Sequence, residues 1–250
     1  MSELLKNILA QFPSISLDEM DAVSLMDRVD TKYVFSLNAL SDILSDAVHH
    51  YRILEINQVR QHLYDSLYYD TNDFQMYYWH HNKRLNRYKI RFRKYVNSNG
   101  LTFLEIKFKD NKEKTYKKRK KHQDIESQIP SALQNFIQQQ TPFTSETLHP
   151  TLQIQYYRLT LVNNDWSERV TIDTNLSFNN FHHNVSLENI AIAEVKRSSY
   201  ASHTAFLKLI KQHHIREGGL SKYCTGIALT NSNIKKNNFL PFLRILEKIK

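Results

Sequence analysis

The chain has 250 residues, 41% hydrophobic and 24% charged, which suits a folded chain with a core of its own and excludes a disordered one. Four glycines leave no material for a glycine-built phosphate loop, and the single Cys224 excludes a disulfide framework or a one-chain zinc cluster. The formal charge is +9, but residues 83–121 hold sixteen Lys/Arg against three acids, so that window is +13 and the remainder −4. A polyanion is the partner such a window fits, and a solvated basic face is the bland alternative.

Helical periodicity opens the chain over 2–11, and Pro13 stops it. The segment lacks an unbroken apolar stretch, so it reads as an amphipathic helix and not a signal peptide. No apolar run reaches 18 residues, so no membrane span is expected. The expected place is the cytoplasm, with a peripheral seat at a membrane left open. Ser16 and Glu19 form a capping box that predicts a helix over 16–26, and a third helix follows Ser36 to about His49. Residues 73–81 read as a short helix capped by Asp73. Pro130 opens the next helix, and 202–214, ended by Gly218 and Gly219, 221–229 and 239–249 complete the set.

Between the helices lie runs alternating with period two: 28–35, 59–70, 86–95, 101–109, 114–121, 152–163, 168–175 and 190–197. Eight such runs, many adjacent in sequence, predict an antiparallel α+β sheet or barrel. Asn99-Gly100 marks a hairpin turn between two of them.

The polar faces of these strands are unusual. Over 87–93 one face is Tyr88, Ile90 and Phe92, and the other is Arg87, Lys89, Arg91 and Arg93. Leu104, Ile106 and Phe108 stand against Glu105, Lys107 and Lys109; Val29, Thr31, Tyr33 and Phe35 stand against Arg28, Asp30 and Lys32. Cations two residues apart on a strand lie roughly 7 Å apart and repel by about 2 kcal/mol at an effective dielectric of about 20. If the sheet curls, these faces converge on a basic channel with a few acids, which suits a chain of phosphates and a divalent cation. A nucleic-acid groove would add aromatics among the cations. Here they alternate onto the opposite face, so no nucleic acid is expected. Crowding further predicts that Arg91→Ala or Arg93→Ala leaves thermal stability unchanged or raised.

Eight segments in order, RVDTKYVF (28–35), SLYYDT (66–71), KIRFRKY (89–95), LEIK (104–107), YYR (156–158), RVTIDT (169–174), AEVK (193–196) and LSKYCTG (220–226), resemble the catalytic domain of the vacuolar transporter chaperone (VTC) polyphosphate polymerases, within the triphosphate tunnel metalloenzymes. The resemblance implies an antiparallel eight-stranded tunnel flanked by helices. One domain would span 1–250: N-terminal helices 1–27, tunnel 28–226 and C-terminal helix 235–250. It implies transfer of the γ-phosphate of ATP to a growing inorganic polyphosphate, release of ADP, and a divalent metal, Mn²⁺ or Mg²⁺. Carried over residue by residue, the phosphate-binding catalytic cations are Lys32, Arg91, Arg93, Lys107, Arg158, Lys196 and Lys222, and the metal ligand is Glu194. Further substrate contacts fall to Arg28, Lys89, Lys117, Arg119, Tyr156 and Arg169. Many tunnel enzymes open with Glu-x-Glu-x-Lys; Arg28-x-Asp30-x-Lys32 replaces one acid by a cation, which fits the polymerase branch better than the triphosphatase branch. A tripolyphosphatase or nucleoside triphosphatase on the same scaffold, and a non-catalytic polyphosphate binder, remain open alternatives, as does a membrane-protein partner.

Overall fold

The computed structural model describes residues 3–21, 28–112, 114–198 and 204–249, without the side chains of Asp21 and Arg28. In chain order the elements are α1 (Glu3–Gln11), β1 (Ser14–Ile15), α2 (Leu17–Asp21), β2 (Arg28–Ser36), α3 (Leu40–Ala47), β3 (Tyr51–Leu54), β4 (His62–Asp70), α4 (Gln75–His81), β5 (Arg87–Tyr95), β6 (Leu101–Lys109), β7 (Thr115–His122), α5 (Ser131–Gln140), β8 (His149–Asn163), β9 (Glu168–Asn179), β10 (Asn184–Leu187), β11 (Ile190–Ser198), α6 (Ala205–Gln212), α7 (Lys222–Thr230) and α8 (Leu240–Lys248).

Eight strands form one antiparallel path, β2-β11-β9-β8-β4-β5-β6-β7, and correspond to the eight alternating runs. The path curls: residues of β2 and β11 near one end line the same cavity as residues of β5, β6 and β7 at the other. No ladder joins β7 to β2 among the described residues, so the barrel is not closed by hydrogen bonds. The turn signal is realised, since Asn99 and Gly100 both take positive φ, 54° and 67°, and Leu101 N–H donates to the Ser98 carbonyl at 3.1 Å. Three short strands, β1, β3 and β10, carry too few residues for alternation to reveal them.

Helices cover the convex face. Leu5, Ile8 and Leu9 of α1, Ile43 and Leu44 of α3, and Phe206 and Ile210 of α6 pack on Phe35, Leu159, Ile172, Ala193 and Val195. Leu133 and Ile137 of α5 and Met76 of α4 pack on Ile90, Phe92, Leu104 and Ile106. These strands therefore bury one set of apolar residues outward, under helices.

One helix lies on the concave side. Tyr223, Cys224, Ile227 and Ala228 of α7 are buried against Leu152, Ile154, Phe178, Ile190 and Ile192. Gly226 permits this approach: a Cβ there would stand 2.5 Å from both Leu152 Cδ2 and Phe178 Cδ1. The irregular alternation of β11 follows, because its concave residues change from Ile190 and Ile192, beneath α7, to Glu194 and Lys196 beyond it.

The cap of α4 differs from the sequence expectation. Asp70, not Asp73, accepts from Met76 N–H and Tyr77 N–H, each at 2.9 Å, and from the Tyr223 hydroxyl at 2.6 Å. The longer reach ties β4, α4 and α7 together at one buried carboxylate. The capping box forms as read, with Ser16 N–H donating to Glu19 Oε2 at 2.8 Å and Glu19 N–H to Ser16 Oγ at 3.3 Å. The part of that helix beyond residue 21, and residues 202–203, lie outside the described residues. No described helix is long and apolar enough to cross a membrane.

Candidate phosphate-binding site

The concave face holds a cavity of about 800 Å³. Its wall includes Asp30 and Lys32 of β2, Arg87 and Lys89 of β5, Lys107 and Lys109 of β6, Glu194 of β11, His80 of α4, and Ser221 at the start of α7. Period-two alternation puts these charges on one face, and curling brings strands distant in sequence together. Lys32 Nζ donates to the Leu220 carbonyl at 3.4 Å and Lys89 Nζ to Ser221 Oγ at 2.7 Å. The Lys107 ammonium has no hydrogen-bond or ion-pair partner among the described residues. Burial, with Lys89 and Lys32 nearby, brings its ammonium down to about 8, against the pull of Glu194. Burial likewise lowers Lys32; Glu194 opposes the shift, and Lys222 and Lys89 add to it.

Two carboxylates stand among these cations. Lys196 Nζ donates to Glu194 Oε1 at 2.7 Å and also to Asp30 Oδ2. Burial alone would raise the Glu194 carboxyl, but Lys196 and Lys32 hold it well below the usual range. An ammonium thus sits between two hard oxygen donors on adjacent strands, a donor set that fits Mg²⁺ or Mn²⁺ with remaining ligands from phosphate and water. Among the described residues no group of three or more His, Cys, Asp or Glu could hold a metal, so these residues offer no complete cage.

Deeper, the cations are paired. Arg91 donates from Nε and Nη2 to Glu105 Oε2 at 2.9 and 2.6 Å, and from Nη1 to the Tyr68 hydroxyl at 2.5 Å. Lys117 reaches Glu105 Oε1 at 2.5 Å. Arg158 grips Asp173 with two bonds of 2.6 and 2.8 Å, and Lys222 adds a third contact at 2.5 Å. Arg93 differs: its partners are neutral, Ser66 Oγ at 3.1 Å and the Tyr156 hydroxyl at 2.9 Å. Burial would raise Glu105 and Asp173, but Arg91 with Arg93 and Lys117, and Arg158 with Lys222, keep both carboxyls low. Burial would raise the Tyr68 phenol too, yet Arg91, Arg93 and Lys89 bring it down to about 8.

A family model described as the VTC domain matches residues 27–231. The chain belongs to the VTC domain family. No curated protein matches it in sequence. Among solved structures it is similar to a Hippeastrum adenylyl cyclase candidate with a dominant triphosphatase activity, at 14% identity over 83% of this chain and 98% of that one, TM-score 0.48. It is also similar to the PH1819 protein of Pyrococcus horikoshii, at 12% identity over 88% of this chain and 99% of that one, TM-score 0.38.

In this VTC domain the sequence-derived candidates fall into two groups. Lys32, Lys89, Lys107 and Glu194 line the open cavity, with Lys196 bound to Glu194. Arg91, Arg158 and Lys222, each paired with a carboxylate, and Arg93, bound to the Tyr156 hydroxyl, form the interior, and the half-exposed Lys117 reaches Glu105 from β7. Arg119 lies over the Phe103 ring at 4.8 Å, and Arg169 pairs in register with Lys196, both on the concave side but off the cavity wall. Arg28 begins β2 opposite Ser198, and its side chain lies outside the described residues.

Two expectations need correcting. Not all aromatics sit opposite the cations: Tyr64, Tyr68, Tyr95, Phe103 and Tyr156 share the concave face. Arg158 lies over the Tyr64 and Tyr156 rings at 4.9 and 5.3 Å, and Lys222 over Tyr156 at 4.9 Å. Alternation on β5 and β6 hid this because β4 and β8 supply most of the rings. Nor are Arg91 and Arg93 crowded cations awaiting relief, since Arg91 is held by the buried Glu105 carboxylate and Arg93 by the hydroxyls of Ser66 and Tyr156. Glu105 shares strand parity with Lys107, and Asp173 with Arg169, which is the signal the sequence offers for such pairing. His80 gave none; it reaches the cavity because Asp70 fixes α4 there, and burial plus Lys89, Arg87, Lys32 and Lys107 push its imidazole down to about 3.

Proposed function

We propose that this VTC domain is a polyphosphate polymerase that transfers the γ-phosphate of ATP to the end of an inorganic polyphosphate chain and releases ADP. The observation that carries the reading is the set of cavity cations around Glu194, inside a chain of this family. Phosphoryl transfer asks for alignment and for positive charge on the equatorial and leaving oxygens, and little covalent chemistry. Lys32, Lys89 and Lys107 supply point charge where the cavity is open. Arg93, whose partners are neutral hydroxyls, can trade them for phosphate oxygens without stranding a carboxylate. Glu194 with Asp30 would hold the divalent cation, which would neutralise charge building on the phosphates.

Acceptor chemistry favours a polymer over water. Glu105, Asp173 and Glu194 are all held ionised by cations and are poor proton acceptors. A terminal phosphate is already ionised and needs no base, whereas water does. Incubation of the full chain with ATP and Mn²⁺, followed by gel separation, is expected to give a ladder of polyphosphate that Glu194→Ala removes. Orthophosphate without a ladder would assign a triphosphatase, and no turnover with intact polyphosphate binding would assign a binder.

A further inference from the structure

The two histidines that end α4 have different surroundings. His81 is buried and both its ring nitrogens are engaged: Nδ1 meets Asn82 Oδ1 at 2.8 Å, and Nε2 accepts from Asn238 N–H at 3.3 Å. His80 has no hydrogen-bond partner at either nitrogen among the described residues. Its Nδ1 is enclosed by protein, so Nε2 is the nitrogen open to the cavity that the ring lines. A proton on Nδ1 would have no acceptor there. One on Nε2 can be given to whatever enters, which favours the Nε2–H tautomer.

The helix that carries this ring is held from several sides. Asp70 accepts from Met76 N–H and Tyr77 N–H, the Tyr77 hydroxyl donates to the Lys235 carbonyl at 2.9 Å, and Asn238 Nδ2 donates to the His81 carbonyl at 2.8 Å. Phe239 stands beside the His80 ring, with centroids 6.1 Å apart. Packing against Phe239 does not call for a polar ring, and an enclosed nitrogen without a partner asks for a functional reason. A firmly seated element that presents an unengaged polar group is the arrangement a binding residue needs.

The charges around the ring explain why a histidine suits this place. Lys32 of β2, Arg87 and Lys89 of β5 and Lys107 of β6 act on it, and together with burial they keep the imidazole neutral in the empty cavity. The same wall carries the Asp30 and Glu194 carboxylates, with Lys196 bound to both. Another permanent cation among the lysines would add repulsion whenever no anion is bound, and a neutral donor does not. An entering polyanion offsets the surrounding cations and makes the protonated ring less costly. Histidine can therefore gain charge after the anion has arrived, which lysine and arginine, already charged, cannot do.

We propose that His80 is a phosphate-contacting residue of this cavity, with Nε2–H donating to an oxygen of the bound anion. The inference rests on the reading of the cavity as a phosphate site and adds a contact from α4 to those from the strands. Tripolyphosphate without divalent cation tests it on the full chain. Proton NMR of the histidine rings between about pH 4.5 and 8, with the His80 signal assigned by its loss in His80→Gln, follows the ring itself. Without ligand the signal is expected to stay in its neutral form. Saturating tripolyphosphate is expected to bring its titration into that window, towards the ordinary histidine value of about 6.5. Calorimetric titration at about pH 7.5 is expected to show His80→Phe losing about tenfold in tripolyphosphate affinity, and His80→Gln, whose amide N–H can stand in for Nε2–H, staying within about threefold. A His80 signal that ignores tripolyphosphate, or a His80→Phe affinity within about twofold of wild type, would overturn the contact. So would equal losses in the two variants, which would mark a packing role, or a loss confined to ATP, which would assign the ring to the nucleoside. Melting curves check the fold of each variant; should His80→Phe not fold, the wild-type signal and His80→Gln decide. If tripolyphosphate moves the His80 signal but ATP yields no polymer, the contact stands and the polymerase reading falls. If polymer forms while His80 ignores the ligand, the contact alone falls, and a wild type that binds no tripolyphosphate removes both.

Discussion

The concave face of β5, β6 and β7 carries nine Lys/Arg side chains and one carboxylate, Glu105. Across the channel, the described side chains of β8, β9, β11 and β2 supply four cations, Lys32, Arg158, Arg169 and Lys196, and three carboxylates, Asp30, Asp173 and Glu194. The first wall is a source of positive potential; the second is nearly balanced, and its charges are fixed by partners. A phosphate chain drawn to the first wall meets, on the second, the carboxylates able to share a divalent cation with it. The asymmetry separates attraction from positioning, so removing charge should have unequal structural consequences on the two sides.

The largest effect is expected from Arg93→Ala. It removes a cation of the basic wall whose partners are hydroxyls, so polymer synthesis should fall by about 10³-fold or more, as for arginines that neutralise a transferring phosphoryl group. Stability should fall by only about 1 kcal/mol, the value of an ordinary hydrogen bond. A rate assay beside a denaturant melt checks the split; a large stability loss would make Arg93 structural.

Asp173→Ala tests the balanced wall. It leaves Arg158 and Lys222 without their shared partner in a buried setting, and removal of one member of a buried ion pair costs about 3–5 kcal/mol. Chemical denaturation should show that loss even where the fold survives. Gly226→Ala comes next. Its new methyl must displace Leu152 and Phe178, costing about 1–3 kcal/mol, and should tilt α7 enough to weaken the Lys222–Asp173 contact. A melt near wild type would show that the two side chains give way freely.

These contrasts also mark what the sequence could reveal. Strict alternation in β5 and β6 exposed the basic wall, because a two-residue period and eight ordered segments survive without coordinates. The pairing of that charge was not visible. Arg91 and Glu105 are 14 residues apart, Arg158 and Asp173 15 apart, and only strand register makes them neighbours. Lys222 reaches Asp173 because α7 docks inside the sheet, and the buried face of α7 read as an ordinary helix. His80 and Asp70 depend on the seat of α4, where a nearer acid, Asp73, offered the simpler cap.

The smallest effects centre on Lys107, the least compensated cation of the basic wall. Its ammonium is charged below about pH 8 in the empty cavity, and a bound anion favours the charged form. Tripolyphosphate affinity should therefore hold up to about pH 8 and decline above it, by about tenfold per pH unit until the bound form also loses its proton. Lys107→Arg should remove that inflexion from a titration series between about pH 7 and 9.5, because guanidinium stays charged there. The same depressed ammonium costs the empty protein stability at neutral pH. Folding places a charge beside Lys89 and Lys32 that the unfolded chain carries in water, and the penalty fades as pH rises from about 8 towards the unfolded value of about 10.4. Because solvent reaches the side chain and screens it, only part of the shift becomes stability. Lys107→Met is expected to raise the melting temperature at pH 7 by about 2–4 °C, which corresponds to about 1 kcal/mol in a domain of this size, with the gain shrinking at pH 10. A lower melting temperature at pH 7 would mean that Glu194 relies on Lys107 as a partner, and that the basic wall is as balanced as the one facing it.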